Sequence, residues 1–276
     1  MKKGDNVQHV DLGYAKIAVE LVGDRGPVLV LAHGFPLDHG MWQYQIEHFA
    51  SQARVIAMDL RGFGQSRGGE GSCSMADYAD DCAATLKALG VEEPVVFCGL
   101  SMGGYVAWQF WKRHREMLGQ LILCDTRAEA DTEEVARGRN RMAFDVLARG
   151  SAFVADAMLP RLMSPETYEQ FPERVEALRQ VMIKNSPEAI AMAQRAMASR
   201  VNATRWLSQI DVPTLGICGV DDEISRVDEM ENMVREMPQA RLVVIPAAGH
   251  MAPFENPVKV NEAIEVFLRE THPVLS

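Results

Sequence analysis

The sequence has no run approaching the roughly 18 consecutive apolar residues of a membrane-spanning helix, which argues against a membrane partner. It has no surplus of positive charge. Its 28 Lys and Arg stand against 38 Asp and Glu, a formal net charge of −10. Nucleic-acid binding needs a basic face, so that class of partner is set aside. Cysteine is scarce and odd in number: Cys73, Cys82, Cys98, Cys124 and Cys218, with no Cys-x-x-Cys pair. Cys98, Cys124 and Cys218 each lie in an apolar, strand-like run. They read as reduced, buried thiols, and with them the expected location is the cytoplasm. There is no His-Glu-x-x-His and no other histidine spacing that suggests zinc, so no metal is expected. Gly62-Phe63-Gly64 opens like a dinucleotide loop, but Arg67 stands where the third glycine would fall. Lys2 and Lys3 are not followed by an apolar stretch, so no export signal is read. No internal repeat or low-complexity tract occurs.

What is there is a rhythm. The chain of 276 residues is 47% hydrophobic, enough for one large α/β domain or two small ones. Gln8–Leu12 and Lys16–Val22 alternate weakly around Gly13 and read as an antiparallel pair at a sheet edge. Pro27–Ala32 is a short continuous apolar run, suited to a strand covered on both faces. Similar runs return at Arg54–Met58, Pro94–Cys98, Gln120–Cys124, Val212–Cys218 and Ala240–Ile245. Helical patterns fall at Met41–Ala50, Met75–Leu89, Met102–Met117, Asp228–Met237 and Pro257–Glu270. This alternation predicts an α/β fold with a mostly parallel sheet and helices on both faces. Asp77, Asp80 and Asp81 read as one solvated helix face.

One interval breaks the rhythm. From about Thr126 to Leu207 no strand pattern is convincing. The stretch holds helical patterns, two prolines that can end helices (Pro165 and Pro187), and Met142, Met158, Met163, Met182, Met192 and Met197. It reads as a helical cap at 126–207 inserted in a core formed by 1–125 and 208–276. Its methionines either fill the cap's own core or line an adaptable apolar pocket between cap and sheet.

The chemistry starts at Gly99-Leu100-Ser101-Met102-Gly103, between a strand and a helix. A sharp strand–turn–helix bend strains the central serine, and side chains two positions either side of it would collide. Glycines at 99 and 103 remove them, and the next helix aims its N-terminal amides at the same spot. Ser101 is therefore the candidate nucleophile. A base is found in His250, in the loop after the last strand, which opens on the same sheet edge. An orienting acid is needed too. Asp222 is chosen, in the turn Gly219-Val220-Asp221-Asp222-Glu223, with Asp221 and Asp125 as the other candidates. The turn His33-Gly34-Phe35-Pro36 keeps an amide hydrogen at Phe35 but not at Pro36. The N–H groups of Phe35 and Met102 are the expected oxyanion donors. His33 is expected to tie down its turn, Asp59 to anchor the turn at Arg61–Gly64, and Glu255 to brace the His250 loop.

HGFPLD, DLRGFGQS, GLSMGG, the GVDD turn and GHMAPFENP together resemble the α/β-hydrolase family, and within it the small carboxylesterase and 3-oxoadipate enol-lactonase-like branch. The resemblance covers nearly the whole chain and is weakest in the cap. It implies an α/β-hydrolase fold with an eight-stranded sheet and a helical cap, a serine-hydrolase mechanism and no cofactor. It carries over Ser101, Asp222 and His250 as a triad, with Phe35 and Met102 as the oxyanion hole. Dehalogenase and epoxide-hydrolase relatives use an aspartate nucleophile, which Ser101 argues against; Leu100 and Met102 differ from the elbow of the prolyl aminopeptidase branch. The expected substrate is a small-molecule ester of small to medium acyl size, or a lactone. Perhydrolysis and C–C bond hydrolysis on the same triad are lesser readings. A ligand-binding sensor on the same fold is the alternative from another class. Oligomeric state stays open, a homo-oligomer included.

Overall fold

The run Val28–Ala32 forms β3, and all five of its residues are buried. Its side chains split by a period of two, as a strand must. Leu29 and Leu31 join one hydrophobic layer, while Val28, Val30 and Ala32 join the other. This is a computed structural model, and it describes residues 7–68 and 71–272. Lys2 and Lys3, weighed above for an export signal, lie outside the described residues.

Around β3 stand β1 (Val7–Asp11), β2 (Lys16–Val22), β4 (Arg54–Met58), β5 (Val95–Leu100), β6 (Leu118–Cys124), β7 (Thr214–Gly219) and β8 (Ala240–Ile245). The eight strands lie in the order β1-β2-β4-β3-β5-β6-β7-β8. β1–β2 and β2–β4 are antiparallel; every other neighbouring pair is parallel. One layer is covered by α1 (Gln43–Phe49) and later α11 (Pro257–Thr271). The other is covered by α2 (Met75–Ala88), α3 (Met102–Arg113) and α9 (Val227–Arg235).

Several boundaries differ from the sequence reading, each for a physical reason. β5 and β7 begin just after Pro94 and Pro213, which have no N–H to give a ladder. Pro213 contributes only its carbonyl, which accepts from Leu121 N–H at 3.0 Å. β8 was expected to be covered on both faces; it is the sheet's edge strand, with Val244 exposed. The helix from Met102 stops at Arg113, because His114 leaves helical geometry (φ −133°, ψ 42°).

The three acids of α2 do not form a solvated face. Asp77 completes a capping box with Ser74. Asp80 binds Arg113 and His114. Asp81 is buried and takes Arg61 in a two-pronged ion pair of 2.8 and 2.5 Å. A period of 3.6 places these carboxylates on the helix but says nothing of the arginines that fold over them.

Between β6 and β7 run five α-helices: α4 (Glu133–Arg149), α5 (Ser151–Leu162), α6 (Pro165–Gln170), α7 (Pro172–Lys184) and α8 (Pro187–Ala198). Pro165 and Pro187 open helices rather than ending them, since a first-turn residue needs no N–H donor. The methionines divide. Met182 and Met197 are fully packed in the two apolar layers, whereas Met163 and Met192 also touch cavities. The last short helix, α10 (Ala252–Glu255), follows the loop after β8.

Candidate active site

β5 ends at Leu100 and α3 begins at Met102, so Ser101 alone makes the turn. Its backbone is left-handed (φ 52°, ψ −107°), a strained state for a residue with a side chain. The surroundings hold it there. Ser101 N–H donates to Cys124 O at 2.9 Å. Its carbonyl accepts from Gly104 N–H at 2.9 Å and from Thr126 Oγ1 at 2.8 Å. A Cβ at Gly99 would overlap the Gly103 carbonyl, and one at Gly103 would overlap the Ala32 carbonyl of β3. The two glycines therefore let the helix start press against the sheet.

His250 lies in the loop between β8 and α10 and is buried. Its Nε2 is 2.8 Å from Ser101 Oγ. Its Nδ1 is 2.8 Å from Asp222 Oδ2. Asp222 is buried as well, and its Oδ1 accepts from Ile224 N–H at 2.7 Å and Ser225 N–H at 2.9 Å. With Oδ1 so occupied, Asp222 Oδ2 faces the imidazole, and Nδ1 carries the hydrogen. Nε2 is then left as an acceptor toward the serine hydroxyl.

The other two acids are placed differently. Asp221 is exposed, and its backbone N–H donates to Ala248 O at 2.9 Å. Asp125 is fully buried at the end of β6 in a left-handed conformation (φ 47°). Its Oδ1 accepts from Gly219 N–H at 2.8 Å, while Oδ2 has no partner among the described residues. Burial pushes its carboxyl well above the usual carboxylate range, and the nearby charge of Asp222 adds to this. The fold therefore favours the neutral form of the Asp125 carboxyl.

Met102 opens α3, so its N–H has no carbonyl one turn back. In the facing turn, Leu37 N–H closes on Gly34 O at 3.0 Å and leaves Phe35 N–H outside that bond. His33 does tie this turn down. Its Nε2 accepts from Leu60 N–H at 3.0 Å, and its Nδ1 donates to Gly34 O at 2.8 Å. Burial lowers the His33 pKa, in keeping with that neutral tautomer. Asp59 anchors the next turn through Gln65 N–H at 2.7 Å and also binds His39 Nδ1 at 2.6 Å.

Some contacts had no signal in the sequence. Asn185, at the end of α7, donates Nδ2–H to Pro36 O at 2.9 Å and accepts from Gly64 N–H at 2.8 Å. It joins the helices between β6 and β7 to the Phe35 turn, and only its place just past a helix end marks it in the sequence. Thr126 is equally silent; it follows Asp125 with no pattern of its own.

Two groups of side chains have the elements of a metal site: Asp38, His39 and Asp59, and Asp125, Cys218 and Asp222. In the first, both Asp59 oxygens already accept N–H donors. In the second, Asp222 is taken by His250 and two amides. Cys218 carries a thiol pushed far above its usual range by burial. In neither set are all the members free to hold an ion.

Two cavities lie where the helices between β6 and β7 meet the rest of the chain, and charged as well as apolar side chains line both. One of about 490 Å³ lies beside Asp222, with Arg161, Arg226, Met163 and Tyr168 in its walls. Another of about 810 Å³ lies beside Asn185, with Arg67, Lys184, Arg195 and Met192. No described helix is long and apolar enough to cross a membrane, and all five cysteines are free and buried.

Residues 27–257 match the family model described as alpha/beta hydrolase fold. A thermophilic esterase from Thermogutta terrifontis, solved with malate bound, is 43% identical with a TM-score of 0.93, covering 96% of this chain and 99% of that one. The enol-lactonase from Burkholderia xenovorans LB400 is 25% identical with a TM-score of 0.88, over 95% of this chain and 100% of that one. A curated relative, 3-oxoadipate enol-lactonase 2 of Acinetobacter baylyi, is 28% identical over 95% of this chain and 94% of its own.

Proposed function

This chain belongs to the α/β-hydrolase family, and we propose that it hydrolyses carboxylic esters of small to medium acyl size through Ser101, His250 and Asp222. The observation that carries the proposal is the unbroken chain of two 2.8 Å hydrogen bonds from Ser101 Oγ through the imidazole to Asp222. In the first half-reaction, Ser101 Oγ attacks the ester carbonyl carbon while His250 Nε2 takes its proton. The carbonyl oxygen becomes an oxyanion, held by the N–H groups of Phe35 and Met102. Asp222 keeps the imidazole in place and offsets its positive charge. As the tetrahedral intermediate collapses, His250 returns the proton to the leaving alcohol, and Ser101 keeps the acyl group. Water then attacks the acyl-enzyme with His250 as base, releasing the acid and restoring the serine. The same proposal takes 1–125 and 208–276 as the catalytic core and 126–207 as a cap that shapes the substrate site.

The test is hydrolysis of p-nitrophenyl butyrate by wild type and Ser101→Ala. Loss of the nucleophile should cut kcat by about 10⁴-fold or more. Equal rates above background in the two proteins would end the proposal.

A lactonase reading is supported by the enol-lactonases among the relatives. It uses the same residues. Opening a cyclic ester releases no separate alcohol, so paired rates on lactones and linear esters of equal carbon number separate the two readings.

A further inference from the structure

We propose that Glu255 is a positioning residue that makes the placement of His250 depend on the docking of the cap. The proposal rests on the reading of His250 as the base. Glu255 closes α10 and is buried. Its Oε1 accepts from Gly249 N–H at 2.8 Å and from Met251 N–H at 3.3 Å, the two amides that bracket His250. Its Oε2 turns the other way and accepts from Ser164 N–H at 2.7 Å and Thr167 Oγ1 at 2.7 Å. Ser164 caps the N-terminus of α6, and Thr167 is in its first turn. Arg174 of α7 adds a bond to the Glu255 carbonyl at 2.9 Å. One carboxylate thus holds the histidine loop with one oxygen and the cap with the other.

The chemistry requires a carboxylate. All four partners are donors, and only an ionised carboxylate accepts on both oxygens. A glutamine would turn an NH₂ toward either Gly249 N–H or Ser164 N–H, breaking one half of the link. Hydrogen bonds to an ionised group are also the stronger kind, so the link is stiff. If the cap moves away, Oε2 loses both partners and the carboxylate is free to swing. The loop at 249–251 then loses its brace. A misplacement of about 1 Å between base and nucleophile can cost about 10²-fold in rate. The base is therefore well placed when the cap is seated over the site.

The experiment compares Glu255→Gln and Thr167→Val with wild type on a p-nitrophenyl ester. It adds the rate of covalent labelling by a fluorophosphonate and the downfield imidazole N–H resonance in water. Thr167→Val removes one cap-side bond and leaves the loop side untouched. The expected result for Glu255→Gln is a kcat about 10–100-fold lower with KM within about twofold. For Thr167→Val the expected loss in kcat is about threefold to tenfold. Labelling should slow by the same factors, and the resonance should broaden in both. An unchanged kcat in Thr167→Val, or a loss confined to KM, overturns the proposal; Thr167→Val alone decides if Glu255→Gln does not fold. Failure of the triad reading looks different: Ser101→Ala would then label and hydrolyse like wild type.

Discussion

Asp222 and Asp125 show how little residue type says about charge. Both are buried aspartates at the C-terminal edge of the sheet. Asp222 has two backbone amides and an imidazole to hold an anion. Asp125 has a single amide and an unpartnered oxygen, and burial favours its neutral form. Asp222→Asn should lower kcat by about 10⁴-fold, because the amide favours the wrong imidazole tautomer. Asp125→Asn should leave kcat/KM within about threefold, since the Asp125 side chain bonds the Gly219 amide and His250 bonds Asp222 instead. A large loss at Asp125 and a small one at Asp222 would reverse the assignment. Stability gives a second check. An unfolded aspartate titrates near ~3.9, and Asp125 is raised above this in the fold. Its favourable contribution is present below that value and lost as pH rises toward its folded pKa. Wild type should therefore lose more Tm between about pH 4 and about pH 8 than Asp125→Asn does. Equal drops in the two proteins would show that Asp125 ionises freely.

At the scale of elements, the bend from β5 to α3 is the tightest constraint. Gly103 has no room for a methyl group against the Ala32 carbonyl of β3. Gly103→Ala should cost about 3 kcal/mol, a fall in Tm of roughly 6–12 °C. An unchanged Tm would mean that the helix start is free to move off the sheet. This constraint was legible in the sequence because it follows from spacing within five residues. The fate of Asp81 was not, because Arg61 lies twenty residues away and reaches it only after α2 packs on the sheet. The proline boundaries were half legible. A missing N–H marks a helix end, but it marks either end, and only the neighbouring caps Ser164 and Ser186 decide which.

At the scale of the whole molecule, the helices between β6 and β7 share the apolar layers of the sheet. Val146, Val154 and Ile190 lie in one layer, and Leu159, Leu162 and Leu178 in the other. A buried ion pair ties this segment to itself, and one of its arginines reaches α3. Arg200 Nη1 meets Asp131 Oδ1 at 2.6 Å, with Arg139 on the other carboxylate oxygen at 2.6 Å. Arg200 also lies over the Tyr105 ring of α3, 4.3 Å from its centroid. Removing one partner strands a buried charge, so Asp131→Ala should cost about 3–5 kcal/mol. Hydrogen exchange should then rise first across 133–198. Wild type should unfold in urea in a single transition seen alike by tryptophan fluorescence and circular dichroism. Two separated transitions in wild type would mean that the helices fold as an independent unit.

The sequence by itself determined the alternation of strand and helix, the bend at Ser101 and the loops that bring His250 and Asp222 to one sheet edge. These depend on periodicities of two and 3.6 and on residues close in the chain, where steric rules act without help from the rest of the fold. Only the tertiary structure decided which aspartate faces the imidazole, where β8 sits, and how Asn185 and Glu255 join the helices of 126–207 to the site. Those outcomes turn on hydrogen bonds between segments up to 149 residues apart, as from Asn185 to Pro36. A polar side chain's partner at that range is set by packing, and packing leaves no local pattern to read.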